Sequence, residues 1–307
     1  MTTLIAGPSG RAGRPFGTVL AAMVTPFTAT GELDVAATGQ LAEKLVNAGN
    51  DGLVVNGTTG ESPTTTDAEK DLVIRAVVDA VGDRATVVAG VGTYDTAHSV
   101  RLAKAAEKAG AHGTLVVTPY YSRPQQEGLL AHFAAVADAS GLPVMLYDIP
   151  PRSVVAIEPE TLLRLAEHPR ITAVKDAKGD LLAGSQVIAG SDLAYYSGDD
   201  PLTLPWMSVG GVGIVSIISH VVGRHVRAMV DAAEAGDFDK ARRLHLDLLP
   251  AHRAMGRCGG GAGLVFAKAA LRLQGFGVGD PRLPQIPATH HQTEQIARDL
   301  DEIGPLL

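Results

Sequence analysis

The sequence predicts a closed (β/α)8 TIM barrel followed by a C-terminal three-helix extension. Three observations lead there. Eight short apolar runs alternate with segments of helical period, the count that a closed barrel needs. Strict alternation of the two kinds implies parallel strands joined by crossovers. The open doubly wound alternative lacks its fingerprint: Gly90-Val91-Gly92 has no third glycine in place, and Gly211-Val212-Gly213 runs on into Ile214-Val215-Ser216. A length of 307 residues with 46% hydrophobic composition suits one such barrel with additions.

Residues 1–16 contain glycine, proline, serine and two arginines, and read as a flexible lead-in without the apolar core of a signal peptide. The strand-like runs occupy 19–24, 52–56, 85–89, 113–117, 143–147, 171–175, 193–196 and 213–217. Each is short and nearly continuously apolar, as strands covered on both faces are. Helical spacing marks 35–48, 66–81, 96–109, 125–140, 159–167, 181–188 and 200–208. Thr66-Asp67-Ala68-Glu69 has the form of a capping box, and Pro159 and Pro201 stand in first turns. Gly49, Gly82, Gly110 and Gly141 sit where helices stop. The segment 220–235 completes a barrel domain of residues 17–235. Helices at 237–253, 263–273 and 292–303 make up an extension of residues 236–307. Gly259-Gly260-Gly261 reads as a flexible joint or a helix lead-in, because it lacks the ending of a phosphate loop.

Composition removes several functions. A net charge of -7, scattered basic residues and 4% aromatics give no nucleic-acid signature. The most apolar segment, 209–222, is too short and too interrupted to span a membrane. Cys258 stands alone, so no internal disulfide forms, which fits a cytoplasmic protein. There is no His-Glu-x-x-His pattern, and no metal is expected; Asp199-Asp200 is the one candidate pair for magnesium. A Gly-x-Ser-x-Gly nucleophile elbow is missing as well.

In a barrel of this kind the chemistry lies at the C-terminal ends of the strands. Asn56-Gly57-Thr58-Thr59-Gly60-Glu61-Ser62 follows the second run; it is either a nest for a carboxylate or a tight turn capped by threonines. Thr118-Pro119-Tyr120-Tyr121 follows the fourth. The fifth ends in Tyr147, a half-buried core tyrosine or a proton carrier. Arg152, five residues on, has a fork suited to carboxylates, unless it is an ordinary surface arginine. The sixth run ends in Lys175. A lysine there either pairs with Asp176 or Asp180, or is desolvated enough to be neutral and attack a ketone. Lys178 reads as a solvated charge. A lysine, a tyrosine, a hydroxyl pair and an arginine, each at a strand's C-terminal end, are together the parts of a class I aldolase-type site.

These motifs, with Val174-Lys175-Asp176-Ala177 and Ser197-Gly198-Asp199-Asp200, resemble the dihydrodipicolinate synthase family, in the N-acetylneuraminate lyase superfamily of Schiff-base barrels. The likeness covers residues 17–290 in order. It implies a 4-hydroxy-tetrahydrodipicolinate synthase, a lyase of L-lysine and diaminopimelate biosynthesis, with pyruvate and L-aspartate-4-semialdehyde as substrates and no cofactor. It implies that Lys175 forms the Schiff base with pyruvate and that Tyr147 donates and accepts protons. Thr58 would relay protons between Tyr147 and Tyr121, the latter from a neighbouring subunit of a dimer-of-dimers homotetramer. Thr59 and the backbone of Val215 would hold the pyruvate carboxylate, and Arg152 that of the semialdehyde. The alternatives are another 2-keto acid aldolase or lyase of the superfamily, disfavoured by Thr58-Thr59 and Arg152, and a non-enzymatic relative. Three departures stand out: Asp148 where the family often has Asn, Asp176 where it often has Glu, and Gly259-Gly260-Gly261-Ala262-Gly263 in place of Asn-Pro-x-Pro. Asp67, Lys70, Tyr94 and His98 occupy the positions that bind inhibitory L-lysine in some members, and imply weak or absent feedback here.

Overall fold

The computed structural model describes residues 13–259 and 263–304; residues 1–12 of the lead-in and 260–262 of the glycine-rich joint lie outside it. Eight strands follow one another around a closed barrel: β1 Val19–Ala22, β2 Gly52–Val55, β3 Thr86–Gly90, β4 Gly113–Val117, β5 Val144–Asp148, β6 Ile171–Asp176, β7 Ala194–Ser197 and β8 Gly213–Ser216. Neighbours are parallel throughout, and Val19 opposite Ile214 closes the ring. The expected barrel is the observed one, with strand ends within one residue except at β1, which stops two residues early.

Side chains of a strand alternate between two faces, so each strand feeds two cores. Leu20, Val54, Val88, Leu115, Met145 and Ala173 fill the barrel interior. Val19, Leu53, Val87, Val116, Leu146 and Val174 pack outward with the helices. Phe16 is fully buried and belongs to the interior cluster, so the lead-in ends in the core rather than in solvent. Gly113 makes room for it: a Cβ there would stand 2.3 Å from the Phe16 ring.

Local signals place the helices. The capping box closes at Asp67–Val81, where the Thr66 backbone N–H donates to Glu69 at 2.8 Å and the Glu69 N–H donates to Thr66 Oγ1 at 3.2 Å. Four differences from expectation have physical causes. The helix expected at 237–253 divides into Phe238–Asp247 and Leu249–Gly256, because Pro250 brings no N–H to the ladder. The segment 200–208 divides into a 3-10 turn, Asp200–Leu202, and a helix, Thr203–Ser208. The last helix starts earlier, at His290, where Thr289 and Gln292 form a second capping box. A short extra helix, Pro150–Ser153, follows β5 and carries Arg152.

The extension is bolted to the barrel mouth. Lys268, fully buried in helix Gly263–Leu273, meets Glu61 at 2.7 Å, and the Arg282 backbone N–H donates to the other Glu61 oxygen at 2.8 Å. The Lys268 ammonium and the Arg282 guanidinium lie 4.3 and 4.2 Å from the centroid of the Phe27 ring. Lys268→Met leaves the Glu61 carboxylate buried without its counter-charge. The expected loss of stability is about 3–5 kcal/mol, read as a lower urea midpoint. Glu61→Gln/Lys268→Met should recover most of that loss, because neither charge is then orphaned.

Candidate active site

The turn after β2 is held by its own backbone. Asn56 takes a left-handed φ of 55°, which asparagine tolerates better than most residues, and its side-chain amide donates to the Lys70 carbonyl at 3.1 Å. The Glu61 N–H donates to Thr58 O at 3.1 Å, and Ser62 N–H to Gly57 O at 3.2 Å. Thr25 Oγ1 ties Gly60 O to the loop after β1 at 2.7 Å. Opposite, Gly90 must be glycine, since a Cβ would come within 2.3 Å of Asn56 O. Thr58 is thereby fixed at the rim of a cavity of about 220 Å³.

Asn56, Thr58, Tyr120, Tyr147, Ile149 and Arg152 line that cavity, with Gly90 and Gly92 as bare backbone. Its volume is below the roughly 300–1,000 Å³ of drug-sized pockets, and suits small acids rather than polymers. Tyr147 points in from β5, and register pairs it with Lys175 on β6. The Lys175 Nζ stands 4.2 Å from the centroid of the Tyr147 ring. Both side chains are about 5% exposed. Burial pushes the Lys175 amine down to about 7; Asp200 opposes the shift and Arg152 adds to it. Burial lifts the Tyr147 phenol to about 12, against the pull of Arg152 and of its hydrogen bond with Thr58. One group is thus a partly neutral amine near neutral pH, and the other a phenol that keeps its proton.

The other candidates divide. Thr59 is 8% exposed and Val215 is 1% exposed on the inner face of β8. Arg152 lies on its short helix at the mouth and biases both Lys175 and Tyr147. Tyr121 is not brought in: it is 91% exposed, on a left-handed φ of 74°. Tyr120 lines the cavity instead, edge-on to Tyr94 at 5.4 Å. Asp200 is engaged by protein, accepting from Ser216 Oγ at 2.5 Å and from the Ile217 N–H at 2.8 Å.

Lys178 departs from its sequence reading. It is only 15% exposed, and its ammonium lies 3.0 Å from the fully buried carboxylate of Asp148. The signal for this was parity. Asp148 follows the inward Tyr147, so it faces the dry side of a covered strand, where a charge needs a partner. Asp176 faces the same way and accepts from the Tyr195 hydroxyl at 2.6 Å. Lys175 pairs with neither Asp176 nor Asp180.

The matches to known proteins agree with this geometry. Residues 15–303 match the model of the dihydrodipicolinate synthetase family. A 4-hydroxy-tetrahydrodipicolinate synthase from Mycolicibacterium paratuberculosis is 61% identical over 92% of this chain and 94% of its own. A crystal structure of a dihydrodipicolinate synthase from Bacillus anthracis is 42% identical, with a TM-score of 0.90 over 94% of this chain and 99% of that one. One from Cyanidioschyzon merolae with lysine bound is 39% identical, with a TM-score of 0.91 over 95% of this chain and 99% of that one. With a lysine and a tyrosine paired inside an eight-stranded barrel and relatives alike over nearly the whole length, the chain belongs to the dihydrodipicolinate synthetase family.

Proposed function

We propose that this protein catalyses the 4-hydroxy-tetrahydrodipicolinate synthase reaction, a step of L-lysine and diaminopimelate biosynthesis, through a Schiff base on Lys175. The observation that carries the reading is the buried Lys175 amine, lowered to about 7 and set against the Tyr147 ring at 4.2 Å. The neutral amine attacks C2 of pyruvate; one of its own protons and one from the Tyr147 phenol pass to the carbonyl oxygen, which leaves as water. The iminium draws electrons from the methyl group, which gives up a proton to the Tyr147 phenolate to form the enamine. The enamine carbon attacks the aldehyde of L-aspartate-4-semialdehyde, whose oxygen becomes the product hydroxyl. The amine of that substrate then displaces Lys175, closing the ring. Thr58, hydrogen-bonded to Tyr147, passes protons on; Thr59 and the Val215 backbone take the pyruvate carboxylate, and Arg152 the semialdehyde carboxylate. Tyr121, exposed and turned outward, is offered to a neighbouring subunit of a dimer-of-dimers tetramer, an assembly that light scattering would weigh. The lone Cys258 is a free thiol, which fits a reducing cytoplasmic setting.

Incubation with pyruvate and borohydride, followed by mass spectrometry, should place one pyruvyl adduct on Lys175, and product should form only when the semialdehyde is added. An unmodified protein refutes the reading. The trapping rate should rise about tenfold per pH unit below 7, because protonated amine cannot attack, and level off above it. A rate still climbing past pH 9 would mean a lysine near its ordinary 10.5.

Feedback by L-lysine should be weak. His98 is held by Asp67 at 2.9 Å, and the Lys70 ammonium is used within its own turn, at 2.9 Å from Ser62 O. Strong inhibition of initial rates by millimolar lysine would contradict this.

A further inference from the structure

Behind the catalytic face lies a second set of groups that the Schiff-base reading leaves unused. Tyr147 and Lys175 point into the barrel, so Asp148 and Asp176, the next residue of each strand, point out between sheet and helices. Both carboxylates are fully buried, and both have partners in the surrounding protein. Asp176 accepts from the backbone N–H of Lys178 at 3.0 Å and of Gly179 at 2.7 Å on one oxygen, and from Tyr195 on the other. Asp148 accepts from the Ile157 N–H at 3.2 Å and faces the Lys178 ammonium at 3.0 Å. Lys178 also donates to the Ile157 carbonyl at 3.2 Å. Lys178 thus ties the ends of β5 and β6 to the loop beyond the Arg152 helix, and Asp176 carries the tie on to β7. The Lys178 N–H holds β6, its ammonium holds β5, its partner Asp176 reaches Tyr195 on β7, and Ile157 is bonded through both N–H and carbonyl.

We propose that Lys178, Asp148, Asp176 and Tyr195 are positioning residues that fix the spacing of Lys175 and Tyr147 for imine formation. The proposal rests on the Schiff-base reading above. A buried ion pair is a poor device for stability, since apolar replacements of both partners often do as well. It is a good device for direction, because its geometry is set by both ends. Its place supports that use: the tie joins β5 and β6 one residue beyond Tyr147 and Lys175, which face each other in register. A small misplacement of reacting groups can cost roughly a hundredfold in rate.

The test separates positioning from folding. Lys178→Met alone leaves Asp148 uncompensated and is a poor probe, since the fold itself can fail. Asp148→Asn/Lys178→Met removes both charges and keeps an acceptor for the Ile157 N–H. Its thermal midpoint should stay within a few degrees of wild type. Borohydride trapping of pyruvate should slow by about tenfold or more, while KM for the semialdehyde stays within about twofold. Lys178→Arg, which keeps the charge, should recover part of the trapping rate. A double variant that traps pyruvate at the wild-type rate overturns the proposal, as does one whose loss tracks unfolding alone. If wild type forms no adduct, the Schiff-base reading fails instead, and the two failures are distinct.

Discussion

Lys175→Ala is expected to form no pyruvyl adduct and to lose at least about a thousandfold in turnover, about 4 kcal/mol of barrier. The reason is covalent: among the described residues, Lys175 is the amine that stands at the Tyr147 ring. Arg152 acts on both groups through its charge, and a planar, delocalised guanidinium is no nucleophile toward a ketone. The fold should tolerate the change, since removing a desolvated amine relieves a cost of burial. Mass spectrometry after borohydride reduction and a coupled turnover assay with the semialdehyde read the two losses separately. A variant that still carries the adduct on another lysine would move the nucleophile elsewhere.

Tyr147→Phe is expected to slow turnover by about a hundredfold or more, the usual scale for removing a general acid–base. It keeps the ring against Lys175 and removes only the hydroxyl that Thr58 holds. The adduct should therefore still form, slowly, and the lysine should remain the modified residue. Near-normal turnover would take Tyr147 out of the proton-transfer role. Side by side, the two variants separate bond formation from proton movement: one loses the adduct, the other only its speed.

The barrel was legible because short apolar runs and helical periods are independent patterns, and their alternation leaves few topologies. Lys175 and Tyr147 were legible because a polar group at the end of a dry strand is either expensive or used. The segment 237–253 was expected as one helix, although Pro250 inside it carries the signal for the break. Lys178 was harder. Its parity partner Asp148 called for a cation, but which of the nearby charges answers is decided by the loop after β6, where Gly179 takes a positive φ of 78°. The outward turn of Tyr121 was beyond local reading. It rests on a left-handed φ of 74°, a conformation that tyrosine does not favour and that no neighbouring residue announces.

The contact between Glu61 and Lys268 bears on how this architecture can be recombined. Glu61 sits in the same turn as Thr58 and Thr59, while Lys268 comes from beyond the barrel. A chimera that takes the barrel from one parent and the terminal helices from another carries the two halves of one buried charge pair on separate parents. Where the second parent lacks a cation at that depth, the seam falls beside the Thr58–Thr59 turn itself. Grafts that move the turn, the Lys268 helix and the Arg282 loop as one block keep that pair whole. The unit of exchange in this chain is therefore discontinuous in sequence, and a cut placed at the end of the barrel divides it.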